Sequence, residues 1–192
     1  MNLIHRKSIV SAGHFQRISA VFFLLLALPF FSSCSGKPAG KGTLEVRVKD
    51  HRAAIDDFAK LEVAVESIRL KPWGNWIDLK PALASFDLTA YKKGTSVSLF
   101  TGEIESGSFE GFHLKLGKIG GILKKGNGRV EVKNGVGPIQ LSFAVEPHQL
   151  TLLIIDLEVV DMSDHAGRGY ELHINGYEYF KDGKLLDRVP PG

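Results

Sequence analysis

The stretch Gln149–Val160 limits the fold more than any other. Leu150, Leu152, Leu153, Ile154, Ile155, Leu157 and Val159 leave almost no polar face in these 12 residues. A segment apolar on both sides must be covered on both sides, as the central strand of a core is. Its length also admits a buried helix. Its β-branched residues, and the strand signals on either side, favour the strand.

Those signals recur along the chain. Thr43–Lys49 alternates strictly, with Leu44, Val46 and Val48 on one face and Glu45, Arg47 and Lys49 on the other. Asp50–Asp57 reads as a loop. Lys60–Lys71 is a second strand whose apolar phase slips near Glu66-Ser67, the mark of a β-bulge or bend. Pro72-Trp-Gly-Asn75 is a turn leading to a short return strand at Trp76–Leu79. Phe86–Thr89 is a short strand or a helical turn, and Val97–Phe100 another strand. In Ser108–Leu116, Phe112, Leu114 and Leu116 point inward and His113 and Lys115 outward. Gly117–Gly128, rich in Gly and Lys, reads as a loop, with room for a short strand at Ile119–Leu123. Arg129–Lys133 and Pro138–Val145 flank Asn134-Gly135, a hairpin signal. Gly169–Asn175 alternates again and continues past a bulge to Phe180. Lys181–Lys184 is a turn before a short tail.

Many short strands with Gly and Asn turns, and no long amphipathic helix, predict an all-β fold. The expected form is an antiparallel β-sandwich of immunoglobulin or prealbumin type.

A different feature sets the expected location. Val21-Phe-Phe-Leu-Leu-Leu-Ala-Leu-Pro-Phe-Phe-Ser-Ser-Cys34 follows Arg6, Lys7 and Arg17 with no carboxylate before it. A basic start, an apolar run and small residues describe a secretory signal. The run Ile18–Phe31 is about 14 residues, short of the ~20 that a spanning helix needs. Cys34 is the only cysteine, so no internal disulfide is available and the thiol needs a role. Phe31-Ser-Ser-Cys34 resembles a bacterial lipobox, which implies cleavage before Cys34 and acylation of its sulfur. Two or three acyl chains hold a protein on a bilayer where one does not. The expected domains are a signal peptide over 1–33, a flexible tether over 34–42, a β-sandwich over 43–181 and a C-terminal tail over 182–192. The expected address is the cell membrane or outer membrane, by way of the lipid on Cys34.

Charge agrees with this division. The chain has 24 basic and 21 acidic residues, and Arg6, Lys7 and Arg17 account for the excess. A neutral mature body lacks the basic stripe of a nucleic-acid binder.

An ordered set of segments resembles the bacterial domain of unknown function 4382. They are Gly42-Thr-Leu-Glu-Val-Arg-Val48, Phe58-Ala-Lys-Leu-Glu-Val-Ala-Val-Glu-Ser-Ile68, Trp76-Ile-Asp-Leu79, Phe86-Asp-Leu-Thr89, Gly102–Leu116 and Leu150-Thr-Leu-Leu-Ile-Ile-Asp-Leu-Glu158. The likeness spans residues 42–176. The sequence departs from the family pattern at Lys49-Asp50-His51-Arg52, where Thr-Asp-Ala-Pro is usual, and at Asp156-Leu-Glu158, where Asp-x-Asp is usual. The resemblance implies a secreted or lipid-anchored β-sandwich and brings no functional residues with it.

Candidate chemistry is sparse. Asp156 and Glu158 share a strand face, and Asp161 and Asp164 follow at its end. With Asp56-Asp57 they supply hard oxygens of the kind Ca²⁺ takes, and a metal-dependent envelope enzyme is one alternative reading. His113, His165 and His173 are the acid–base candidates. No nucleophile motif is present and no cofactor is implied. Gly117–Gly128 lacks the Gly-Lys-Ser/Thr ending of a phosphate loop. Trp73 and Trp76 flank a turn where aromatics can stack on a sugar or anchor a partner protein. Tyr170, Tyr177 and Tyr179 are weaker candidates of the same kind. The leading expectation is therefore a non-enzymatic, lipid-anchored binding or structural module with a protein or glycan ligand. A further alternative is an assembly factor that pairs an exposed edge strand with a client.

Overall fold

The computed structural model describes residues 40–50, 53–92, 94–165 and 169–190. The leader, Cys34 and most of the tether lie outside the described residues, as do His51 and Arg52. Among the described residues, twelve strands follow one another with only two short 3₁₀ turns between them. They are β1 (Lys41–Asp50), β2 (Phe58–Pro72), β3 (Ile77–Leu79), β4 (Ser85–Asp87), β5 (Val97–Glu105), β6 (Gly107–Leu123), β7 (Arg129–Glu131), β8 (Lys133–Asn134), β9 (Ile139–Val145), β10 (Leu150–Asp161), β11 (Tyr170–Lys181) and β12 (Lys184–Val189). Two six-stranded sheets result, and they pack as a β-sandwich. The first runs β12-β11-β10-β1-β5, with β8 also on β11. The second runs β3-β2-β6-β7, with β4 on β2 and β9 on β6.

The apolar stretch is the central strand its composition demands. β10 lies between β1 and β11. Its inward residues Leu153, Ile155 and Leu157 are fully buried, while Leu152 and Ile154 on the other face are half-buried. Across the core lie Leu61, Val63, Ile68 and Leu70 of β2, Phe112 and Leu114 of β6, and Leu141 and Val145 of β9. At 25 cal/mol per Å², each such side chain contributes about 2 kcal/mol of burial.

Most neighbours are antiparallel, but β1 runs parallel to β10, with Thr43 opposite Leu150 and Asp50 opposite Leu157. Alternation says which face of a strand is buried and nothing about its neighbour. The slip expected near Glu66-Ser67 is present as register shifts on either side of Val65. The bulge in β11 is present too: Asp156 faces Gly176 and Leu157 faces Ile174, leaving Asn175 extra.

Several segments differ from their sequence reading. Lys41 and Gly42, expected in the tether, begin β1. A Cβ on Gly42 would lie 2.1 Å from the Glu146 carbonyl oxygen, so the strand starts on glycine because backbone passes there. Gly117 and Lys118, expected as loop, continue β6, and the short strand allowed at Ile119–Leu123 is the end of that same strand. Asn134-Gly135 does not make a hairpin. β7 and β9 both pair with β6, and between them β8 crosses to β11 in the other sheet. Asn134 holds that crossing: its Nδ2 donates to Leu116 O at 3.1 Å, and its Oδ1 accepts from Val136 N at 3.0 Å. The tail expected from 182 onward forms β12, an edge strand with all six residues exposed. Phe86–Thr89, by contrast, agrees with its reading as a short strand or a helical turn, since it takes in the end of β4 and the start of a 3₁₀ turn.

Tyr170 ties the ends of two segments together. Its ring stands edge-on to Phe58 at 4.7 Å, and its hydroxyl donates to Asp57 Oδ2 at 3.0 Å. Burial, then the bond to Asp57 and the charges of Asp57 and Asp161, raise the phenol to about 12. A raised phenol favours folding while it is neutral. Its stabilisation is complete below pH 10, the unfolded value, and is lost as pH rises through about 12. Tyr170→Phe is therefore expected to flatten the fall in stability between about pH 10 and 12, measured by urea unfolding across that range. Tyr177, raised for the same reasons by burial and by Asp187, leaves a residual slope.

Candidate functional site

The outer face of the second sheet carries two grooves. Both arise from glycine in β6, where a missing side chain leaves a hollow between taller neighbours.

The larger groove, about 710 Å³, is bounded by β4, β2, β6 and β7. Its floor is Ala64, Gly120 and Gly121. Lys60, Lys118 and Arg129 rise around it with Glu62 and Glu131. The two glycines do different work. A Cβ on Gly120 would meet nothing within 4 Å, whereas one on Gly121 would lie 2.3 Å from the Phe58 ring. Gly121 thus lets Phe58 into the core, and Gly120 keeps the groove open. Glu62 is held by Lys60 Nζ at 2.6 Å and by Ser85 Oγ at 3.0 Å. The hydrogen bonds from Lys60 and Ser85, with the Lys60 charge, lower the pKa of Glu62. The volume falls within the ~300–1,000 Å³ of small-ligand sites.

The smaller groove, about 570 Å³, lies at the other end of the same face, between β9 and the β2–β3 hairpin. Trp76, Pro138 and Ile139 are its apolar walls, and Gln140, Ser142 and the Lys71–Glu110 pair its polar ones. Gly111 is the floor, where a Cβ would come 3.3 Å from the indole of Trp76. Arg69 stacks over that indole at 5.4 Å and pairs with Asp78 at 3.0 Å. His113 stands edge-on to it, 6.4 Å between ring centres. Burial, and then the charges of Arg69 and Lys115, lower the His113 pKa, so the imidazole is neutral at pH 7. Such a group packs against the indole without desolvating a charge.

The two tryptophans that the sequence brackets together thus have different surroundings. Trp76 is half-buried in the groove wall. Trp73, at the hairpin tip, is 83% exposed, the most open large apolar side chain among the described residues.

The acidic candidates are spread out. Asp156 is 3% exposed on the outer face of β10, opposite Lys49 of β1. Glu158 is half-buried on the same face. Asp161 is exposed and accepts from Ser163 N at 2.9 Å, and Asp164 is 2.7 Å from the His165 ring. Asp56 pairs with Lys92 at 2.6 Å and Asp57 accepts from Tyr170. Among the described residues no group of three or more His, Cys, Asp or Glu side chains is placed to hold a metal ion. His173 is 3.3 Å from Glu171 on β11 and far along the chain fold from His113 in the other sheet. Tyr177 donates to Asp187 and Tyr179 to Ala144 O, so both serve strand packing.

The model for the domain of unknown function DUF4382 matches residues 41–173. The chain belongs to the DUF4382 family. The match starts with β1 and ends within β11, so it takes in every strand that bounds the two grooves. Neither the curated proteins nor the solved structures provide a match. The grooves of this DUF4382 domain could not have been found from motifs. Each gathers residues from three or four strands, and their common signal is only the glycine content of β6.

Proposed function

We propose that this DUF4382 protein is a lipid-anchored binding module of the cell envelope, held by an acylated Cys34. Its ligand occupies the larger groove of the second sheet. The observation that carries this reading is the open floor at Gly120, ringed by five charged side chains of both signs. A groove of that lining suits a polar ligand, a glycan or an extended peptide. It also lies at the end of the sandwich away from Lys41, where the chain enters from the tether. There a ligand is accessible when the other end faces the bilayer.

The test uses the free space at Gly120. A Cβ there meets nothing within 4 Å, so Gly120→Phe sends its ring out into the groove. Immobilised full-length protein is exposed to envelope extract, and bound material is identified by mass spectrometry. Retained ligand is expected to fall at least ten-fold with Gly120→Phe and to persist with Trp73→Ala, both variants melting like the parent. Equal retention by parent and Gly120→Phe would remove the groove from consideration.

The other two readings have weaker support. A metal-dependent enzyme would need Asp156, Glu158, Asp161 and Asp164 to converge, and they are spread from a buried strand face to an exposed loop. An assembly factor would use β12, whose Leu185, Leu186 and Val189 are exposed. Lys184, Asp187 and Arg188 flank them, and the Arg188 N–H is already bonded to the Asp187 carboxylate at 2.8 Å. Features of this kind discourage strand addition.

A further inference from the structure

The exposed large apolar side chains are not spread evenly over the sandwich, and the asymmetry follows the strand register. β1 begins beside the end of β5, Lys41 opposite Glu105. Only Ser106 separates β5 from β6, and its N–H donates to Gly40 O. Gly107 lies opposite Val145, the end of β9, and Pro72 opposite Phe109. The His148 N–H donates to Lys41 O, and Asp182 N to Leu150 O. The chain entry, the β2–β3 tip, the β5–β6 turn, the β9–β10 loop and the β11–β12 turn therefore share one end of the molecule.

That end carries Trp73 at 83% exposure, Leu150 at 38% and Leu185 at 44%. The opposite end contains Asp50, the 3₁₀ turn at Ala53–Asp57, the β6–β7 turn and Met162–His165. Among the described residues it has none of the exposed large hydrophobics. Five residues lie between Cys34 and Gly40, so the two are six steps apart along the chain. A chain of that length reaches at most about 20 Å, so lipid on Cys34 would keep the entry end next to the bilayer.

The geometry points to Trp73 as a membrane-interface contact. The hairpin tip places its indole among the lipid headgroups and so fixes the tilt of the domain over the membrane. This inference rests on the lipid anchor proposed above. Tryptophan is suited to that depth because its ring is apolar and its N–H stays hydrated. Lys41, Lys71, Lys181 and Lys184 at this end are balanced by Glu105, Glu110, Glu146 and Asp182. The contact is therefore one of indole with lipid and not of a basic patch with anionic headgroups. It brings no dependence on salt, which would otherwise weaken such an attraction.

The chain has two tryptophans, so Trp76→Phe makes Trp73 the only indole reporter. Full-length protein carrying this change is produced in a bacterial host that acylates lipoproteins. It is then reconstituted into phosphatidylcholine–phosphatidylglycerol vesicles with or without brominated acyl chains. Trp73 emission is expected to shift to the blue relative to protein begun at Ser35, which carries neither leader nor lipid. Brominated lipid is expected to quench it at least two-fold, equally at low and high salt. Should Trp76→Phe fail to fold, the difference between the parent and Trp73→Phe gives the same reading. Protein that sediments with vesicles while Trp73 keeps its unquenched, water-like emission overturns the contact and leaves the anchor standing. The indole would then be free for a soluble ligand. Protein that does not sediment with vesicles removes the anchor, and the contact with it.

Discussion

Gly121→Ala is expected to lower the melting temperature by about 10 °C, while Gly120→Ala beside it stays within about 2 °C of the parent. The two positions are consecutive in β6 and face opposite sides of the sheet. At Gly121 the new methyl would sit 2.3 Å from the Phe58 ring. Phe58 is 1% exposed and stands edge-on to Tyr170, so it has nowhere to retreat. Overpacking of this kind costs about 3 kcal/mol, and each kcal/mol moves a domain of this size by roughly 2–4 °C. At Gly120 the methyl enters open groove, and alanine lowers the entropy of the unfolded chain slightly. Circular dichroism melts of the two variants decide the matter. Equal melting temperatures would mean that Phe58 does not pack under Gly121.

Leu153→Ala is expected to cost about 4 kcal/mol, and Leu152→Ala about 1 kcal/mol. Leu153 is fully buried, opposite Val46 of β1 and Tyr179 of β11. Its loss removes transfer energy and leaves a cavity that a sheet hydrogen-bonded on both sides cannot close. Leu152 points to the outer face, where it is only half-buried. Urea unfolding gives the difference directly. If the two variants unfolded at the same urea concentration, β10 would not present its odd-numbered residues to the core.

β10 was the most legible element because its apolar residues leave almost no polar face, and a strand of that kind has one place in a sandwich. Alternation in β1 likewise marked Leu44, Val46 and Val48 as inward. Other features depended on partners that lie far away in sequence. Gly117–Gly128 reads as a loop with room for a short strand because glycine is weak in strands, yet Gly121 is there for Phe58. Close approach of another chain segment leaves the same mark as a turn. Asn134-Gly135 gives the hairpin signal, but the Asn134 side chain binds Leu116 O and turns the chain into the other sheet. The aromatic pair was visible as Trp73 and Trp76. That one would stand in a groove wall and the other in the open depended on Gly111 and Arg69. The acidic candidates shared a strand face, as spacing dictates, but convergence of four carboxylates is a property of loops that spacing does not describe.

The parallel pairing of β1 with β10 also bears on how the protein is made. Thr43 finds Leu150 only after nearly the whole domain has been synthesised. Contacts so distant in sequence pay their loop-closure entropy before they return any energy, and they slow folding. The first strand to emerge is thus among the last to be completed, and until then its buried edge and the greasy face of β10 stay open to other chains. The order of the strands thus sets how long an unpaired edge is on offer while the chain folds.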